Sequence, residues 1–491
     1  MRFTVEPSDL SLIDTVLCFV RPGTPVTVTC PELIRRYGQL PGANAPALRA
    51  DEIRTFLLPA EGRFLTLIAS APDPEACEPL FALRKQLKKI AALLPEIGTQ
   101  HLLIDSLPDT GFAAEAEILS QIASILPLGD YSFDKYKSDK KEHRNIEVSF
   151  SGLSISRREE EHAILEGEAL ADSVMTARDL INENACELTP SELARRAGAV
   201  GKPFGITEEI LNREQCEKLG MGLFLAVAEG SRYEPKFIIL RWNGGKEGEA
   251  PVALVGKGIT YDTGGLALKK SSMELMRFDM NGAASVIGAI LTAARVRLPI
   301  NIIAVVAACE NAVGPDAYRN GDVFRSMSGQ TVFVQNTDAE GRLTMADAIT
   351  YCTRCEHPRE IIEIAGLTGS ASSFYGKVCA AAFTRTKAMF DRLESVMEIS
   401  GERYALMPHF PEYREMLKSP YADLDNAPAG EPGAILAAEF LDCFHDRVPF
   451  MSIDSAAMPF TRTPSDCQPA GGTGFGVRSL YYYLKSLSLK D

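Results

Sequence analysis

Asn336-Thr337-Asp338-Ala339-Glu340-Gly341-Arg342-Leu343 places two carboxylates either side of one alanine and a guanidinium two residues further on. Before it, residues 331–334 (Thr-Val-Phe-Val) have the composition of a short buried strand. After it, apolar Leu343, Met345 and Ala348 give helical spacing through Cys352. Acid, glycine and arginine therefore lie where a strand hands over to a helix, and in open α/β sheets that is where ligands bind.

A second stretch gives the first its chemistry. Residues 252–255 are another apolar strand, followed by Gly256-Lys257-Gly258 and Thr260-Tyr261-Asp262-Thr263-Gly264-Gly265. Lys269 comes next, then Asp279 within Met276-Arg277-Phe278-Asp279-Met280-Asn281-Gly282. Neither stretch contains histidine or cysteine. Acids, lysines and glycines in this mixture suit a pair of hard divalent cations held mainly by oxygen, with Mg, Mn and Zn all compatible.

The 491 residues exceed one ordinary core and predict at least two domains. A content of 46% hydrophobic and 24% charged residues is that of a soluble globular chain. The net charge of −14 argues against nucleic acid or an anionic membrane as the main partner. No apolar run approaches the ~20 residues of a membrane helix, and residues 1–6 lack a signal-peptide pattern, so a cytoplasmic protein is expected. Eleven scattered cysteines are expected to be small buried hydrophobes rather than a disulfide framework. Cys352, Cys355 and His357 hint at zinc, but no second half-site matches them, and the six histidines form no HExxH.

Along the chain, residues 1–155 alternate strands (63–68, 102–105, 146–150) with helical patterns (80–94, 113–126), predicting a smaller N-terminal α/β domain. Residues 131–144 read as a surface loop. Residues 156–181 read as one long joining helix, broken by Asn182-Glu183-Asn184-Ala185. Thr189-Pro190 then starts a helix with a capping residue before proline. Residues 182–491 alternate strands (237–241, 252–255, 300–306, 331–334, 360–364, 450–453) with helices. That alternation predicts a larger catalytic domain with a mostly parallel central sheet covered by helices.

Taken singly, each polar residue has an ordinary explanation. Asp338 and Glu340 could be solvated charge, and Asp279, flanked by apolar residues, could cap a helix or pair with a base. Lys257, between glycines after a buried strand, could lose its proton to a neighbouring dication and ligate it, or could form a plain ion pair. Taken together they fall at strand ends expected along one edge of one sheet.

The octapeptide, with Val255-Gly256-Lys257-Gly258, Asp262-Thr263-Gly264-Gly265, Ala177-Arg178-Asp179-Leu180, Leu188-Thr189-Pro190 and Leu367-Thr368-Gly369, resembles the leucyl aminopeptidase (cytosol aminopeptidase) family. The resemblance runs from about Met175 to the C-terminus and leaves the first domain unmatched. It implies a dimetal aminopeptidase acting on peptides with a free N-terminus, in a homohexamer. Its two metals, Mn or Zn with Mg also compatible, would be held by Lys257, Asp262, Asp279, Asp338 and Glu340. Asp262 and Glu340 would bridge, Lys257 and Asp279 would complete one site, and Asp338 the other. Lys269 and Arg342 match the catalytic positions, Arg342 holding a bicarbonate that serves as base. Met276, Gly366 and Thr368 match the substrate pocket. Some members of the family also bind DNA, so a hexameric binding or regulatory protein is the alternative, disfavoured by the acidic charge. Tyr261 and Lys270 depart from the family's usual phenylalanine and proline. Gly366 stands where threonine is frequent, which predicts an enlarged or looser pocket with no assured preference for leucine.

Overall fold

The computed structural model describes residues 1–5, 9–31, 33–34, 47–60, 63–73, 78–108, 113–141, 145–428, 433–464 and 470–488. The chain divides into two compact units, the first built on Met1–Asp172 and the second on Ser173–Thr463 with the residues from Ala470 on.

The first unit carries strands β1 (Arg2–Thr4), β2 (Thr15–Phe19), β3 (Glu52–Ala60), β4 (Arg63–Ala71), β5 (His101–Ser106) and β6 (Glu147–Phe150). They form one sheet in the order β1-β6-β5-β2-β4-β3, parallel throughout except for the β3/β4 hairpin. Two helices, α1 (Pro79–Glu96) and α2 (Glu115–Asp130), match the predicted helical periodicities and bury their apolar stripes, such as Leu83, Leu87 and Ile90. Residues 131–141 carry no helix or strand, while 142–144 of the expected surface loop lie outside the described residues. The long helix expected after Ser156 is α3 (Arg157–Asn182).

In the second unit, α4 (Pro190–Gly201) begins as predicted, the Thr189 hydroxyl accepting from Glu192 N at 3.3 Å. The main sheet contains β7 (Thr207–Leu211), β8 (Lys236–Asn243), β9 (Val252–Asp262), β10 (Asn301–Asn311), β13 (Glu360–Ala365), β14 (Ala380–Thr384), β15 (Tyr404–Leu406) and β17 (Phe450–Asp454). Its order is β15-β14-β17-β13-β9-β10-β8-β7. The four central strands, β17, β13, β9 and β10, run parallel, and antiparallel neighbours flank them. Residues 252–260 of β9 are all buried, as a parallel strand covered on both faces must be. The covering helices include α5 (Asn281–Arg295) and α6 (Glu340–Tyr351), and every residue of α6 is buried. Gly341 makes the close approach of α6 to β9 feasible, because a Cβ there would lie 2.5 Å from Lys257 Cε. Among the described residues no helix is long and apolar enough to cross a membrane.

Two expectations change. The strand expected at 252–255 does not stop before Lys257 but continues to Asp262. Thr331–Phe333 (β12) does form, yet it pairs with Val323–Arg325 (β11) and Leu424–Asp425 (β16) in a separate small sheet. Asp338 and Glu340 therefore reach the site from outside the main sheet, not from its edge. One strand is not among those expected: β14, with sequence Ala-Ala-Ala-Phe-Thr, is fully buried, and its pairing with β15 and β17 overrides the helix propensity of its alanines.

Candidate metal centre and active site

Four carboxylates and two lysines meet above the centre of the main sheet. Lys257 rises from mid-β9, opposite Ala307 of β10, and Asp262 ends the same strand opposite Asn311. Strict alternation would send positions 257 and 262 to opposite faces. The β9/β10 register skips Thr260, a bulge that returns Asp262 to the face Lys257 uses. Asp279 follows a 3-10 turn (Met273–Phe278) and precedes α5 without capping it, so of its two ordinary explanations the ion pair holds. Glu340 is the first residue of α6, where the helix dipole favours an anion.

Each ammonium sits between two acids. Lys257 Nζ is 2.7 Å from Asp279 Oδ2 and 2.7 Å from Glu340 Oε1, and it donates to the Gly366 carbonyl at 3.2 Å. Lys269 Nζ is 2.6 Å from both Asp262 Oδ2 and Asp338 Oδ1. Oxygens of Asp262, Asp338 and Glu340 all lie within 4.8 Å of one another. This donor set fits divalent cations. It is oxygen-rich and buried, with four acids against two ammoniums, and each ammonium already occupies a cation's place between carboxylates from separate segments. Among the described residues no comparable group involves Cys352, Cys355 or His357; Cys352 is buried in a helical turn and Cys355 is exposed.

Burial dominates the electrostatics. It pushes the Asp279 carboxyl well above its ordinary range, only partly opposed by Lys257. It raises Asp338 as well, against Lys269. Burial alone would depress both lysines, but the surrounding acids (Asp279, Glu340 and Asp262 for Lys257; Asp262, Glu340 and Asp279 for Lys269) hold them above the usual lysine range. Burial draws the Arg342 guanidinium down to about 10, against Glu340, Asp454 and Asp425, which leaves it cationic at neutral pH.

Arg342 lies on the first turn of α6, Nη1 donating to the Asn426 carbonyl while its buried Nε has no hydrogen-bond partner among the described residues. The loop carrying Lys269 folds back through Gly264 (φ +84) and Gly265 (φ +63), conformations that side chains resist. A Cβ at Gly264 would also lie 2.9 Å from Asp338 Oδ1. Of the expected pocket residues, Met276 is half-buried in the 3-10 turn before Asp279. Gly366 follows β13 directly; a Cβ there would lie 3.1 Å from Asn281 Nδ2 and 3.9 Å from Asp279 Oδ1. A Cβ at 366 would therefore crowd the buried Asn281 amide. Thr368 donates its hydroxyl to Asp454 Oδ2 at 2.6 Å and caps α7 (Gly369–Tyr375).

Several residues of the site give no sequence signal. Asn281 and Asn311 are buried polar residues beside apolar runs, Tyr318 and Asn426 are buried within polar, turn-like stretches, and only their tertiary partners reveal them. Thr337, inside the octapeptide, ties the two loops together. Its Oγ1 donates to the Gly264 carbonyl and accepts from Ala267 N, both at 2.8 Å.

Residues 175–481 match the cytosol aminopeptidase family, catalytic domain. The chain is 43% identical over 368 residues to a probable cytosol aminopeptidase of Clostridium perfringens, covering 74% of this chain and 75% of that protein. It is 41% identical over 369 residues to a probable cytosol aminopeptidase of Fusobacterium nucleatum, with the same coverage. Among solved structures it is similar to the bottromycin maturation enzyme BotP in complex with Mn. The TM-score is 0.83 and the identity 29%, across 97% of this chain and 100% of that one.

Proposed function

This chain belongs to the cytosol aminopeptidase family and is a metal-dependent aminopeptidase, and from that premise we propose that it removes the N-terminal residue of peptides at a centre of two divalent cations. The observation that carries the reading is the gathering of Lys257, Asp262, Asp279, Asp338 and Glu340 in one buried, oxygen-rich cluster. Asp262 and Glu340 would bridge, Lys257 with Asp279 would complete one site, and Asp338 the other. Mn or Zn is the proposed metal, with Mg compatible; BotP, the Mn-bound neighbour, favours Mn.

Two divalent cations bound there supply Lewis acidity and a water that ionises near neutral pH. Lys269, a cation beside Asp262 and Asp338, would donate to the scissile carbonyl oxygen as negative charge develops on it. Arg342 keeps its charge and a buried Nε–H without a partner among the described residues, which suits holding a planar anion such as bicarbonate as the base. Met276, Gly366 and Thr368 would wall the side-chain pocket, Thr368 through its shape because its hydroxyl is committed to Asp454. The substrate's free α-amine would ligate one of the cations, which would confine cleavage to chain ends. We further propose residues 1–155 as an N-terminal domain, 156–181 as a joining helix and 182–491 as the catalytic domain, acting in the cytoplasm as a homohexamer.

Chelation should abolish hydrolysis of a leucyl amide, and Mn or Zn should restore it, while N-acetyl-leucyl amide stays uncut. Full activity after chelation, or equal cleavage of the blocked amide, would defeat the reading. A DNA-related role is the alternative; the net charge of −14 stands against it, and salt-dependent DNA binding would have to be found to revive it.

A further inference from the structure

Asn311 ends β10 in register with Asp262 and is fully buried. Its Nδ2 donates to Asp262 Oδ1 at 2.8 Å and to the Thr337 carbonyl at 3.0 Å, with Glu340 Oε2 a more distant third acceptor at 3.5 Å. The Thr337 carbonyl also receives the buried Tyr318 hydroxyl at 2.6 Å. Among the described residues Asn311 Oδ1 has no donor; it packs against Gly265, where a Cβ would lie 2.9 Å from it. One amide thus touches the strand that presents Asp262, the turn that presents Asp338 and Glu340, and the glycine loop that leads to Lys269.

A bridging carboxylate needs a fixed rotamer, and partners beyond the ligands themselves commonly supply it. An amide suits this position because it brings two donors and no charge. A lysine or arginine there would orient Asp262 too, but its positive charge would compete with a cation for the same oxygens. We propose that Asn311 is a positioning residue for the metal centre, locking Asp262 in its bridging orientation and, through the Thr337 carbonyl, setting the distance from Asp262 to Asp338 and Glu340. The inference rests on the two-cation reading above.

The test is Mn titration of the chelated protein in competition with a chromophoric chelator, well below the unfolding temperature, beside thermal unfolding of the same metal-free samples. Asn311→Ala should remain folded with a modestly lower melting temperature and bind Mn about ten- to a hundredfold more weakly than wild type. A purely structural role would lower the melting temperature and leave Mn affinity unmoved, and that result overturns the proposal. If Asn311→Ala does not fold, Asn311→Ser, which also lacks the amide donors, is judged by the same affinity criterion. Wild-type protein that takes up no Mn, Zn or Mg would instead defeat the two-cation reading, a failure separable from wild-type-like affinity in the variants.

Discussion

Lys257 Nζ lies 2.7 Å from Glu340 Oε1, the two side chains only 4% and 2% exposed, one in the middle of a parallel strand and the other on the first turn of a buried helix. A buried pair of this kind is a weak source of stability when intact and a costly one to halve. Lys257→Met should therefore destabilise the chelated protein by about 3–5 kcal/mol, read from urea unfolding, because Glu340 and Asp279 lose their shared cation. A loss near zero would mean the acids are neutral without Lys257.

Asp338 is the most exposed of the four acids, with a third of its side chain accessible. Asp338→Asn should leave the circular dichroism spectrum and melting temperature close to wild type. It should lower turnover of leucyl amide by about a hundredfold or more and reduce bound metal towards one ion per chain. Substantial residual turnover would contradict its assignment as a ligand.

Gly366 faces Asn281 Nδ2, which would be 3.1 Å from a new Cβ. That is tighter than ordinary van der Waals contact, so a side chain at 366 must displace the amide or turn aside into the pocket that Gly366 is proposed to wall. Gly366→Thr should lower kcat/KM for Phe and Met amides more than for the Gly amide, by about tenfold. Adding Asn281→Ala should recover part of the loss, since the two positions touch. Additive effects in that cycle would show that they do not share the space. For the wild type, rates on Leu, Met, Phe and Gly amides should show no narrow preference for leucine.

Glu363 sits at the centre of β13, fully buried, with the Ser452 hydroxyl donating to it at 2.6 Å. Burial pushes its carboxyl up to about 8; Ser452 opposes this, Asp454 adds to it, and Lys257 opposes it. Between the ordinary glutamate range, ~4.3, and about 8, the folded protein keeps a proton that the unfolded chain has released. This group's contribution is most favourable below that window and falls as pH rises through it, by roughly a few kcal/mol in all. Glu363→Gln, neutral at every pH, should flatten the pH dependence of urea unfolding across the window. An unchanged slope would place the titration elsewhere.

The acids and lysines proposed as metal-centre donors stand out in the sequence because their chemistry is local. Acids, lysines and glycines clustered after apolar runs, and the octapeptide carried Asp338, Glu340 and Arg342 in one piece. The β/α alternation was legible for the same reason, since each element's apolar spacing is written into a few consecutive residues. Asn311 was not: an asparagine at the end of an apolar run has many uses, and only the opposing strand shows which one applies.

What the chain determined by itself, then, was the inventory: which side chains are available as ligands and which segments become strand or helix. Tertiary structure decided how they face each other. The skipped register at Thr260 turns Asp262 to the face of Lys257, a separate small sheet delivers Asp338 and Glu340, and Asn281 crowds the position of Gly366. The physical reason is that spacing along a strand fixes direction only while pairing stays regular. A bulge is a property of two strands together, and no single stretch of residues contains it.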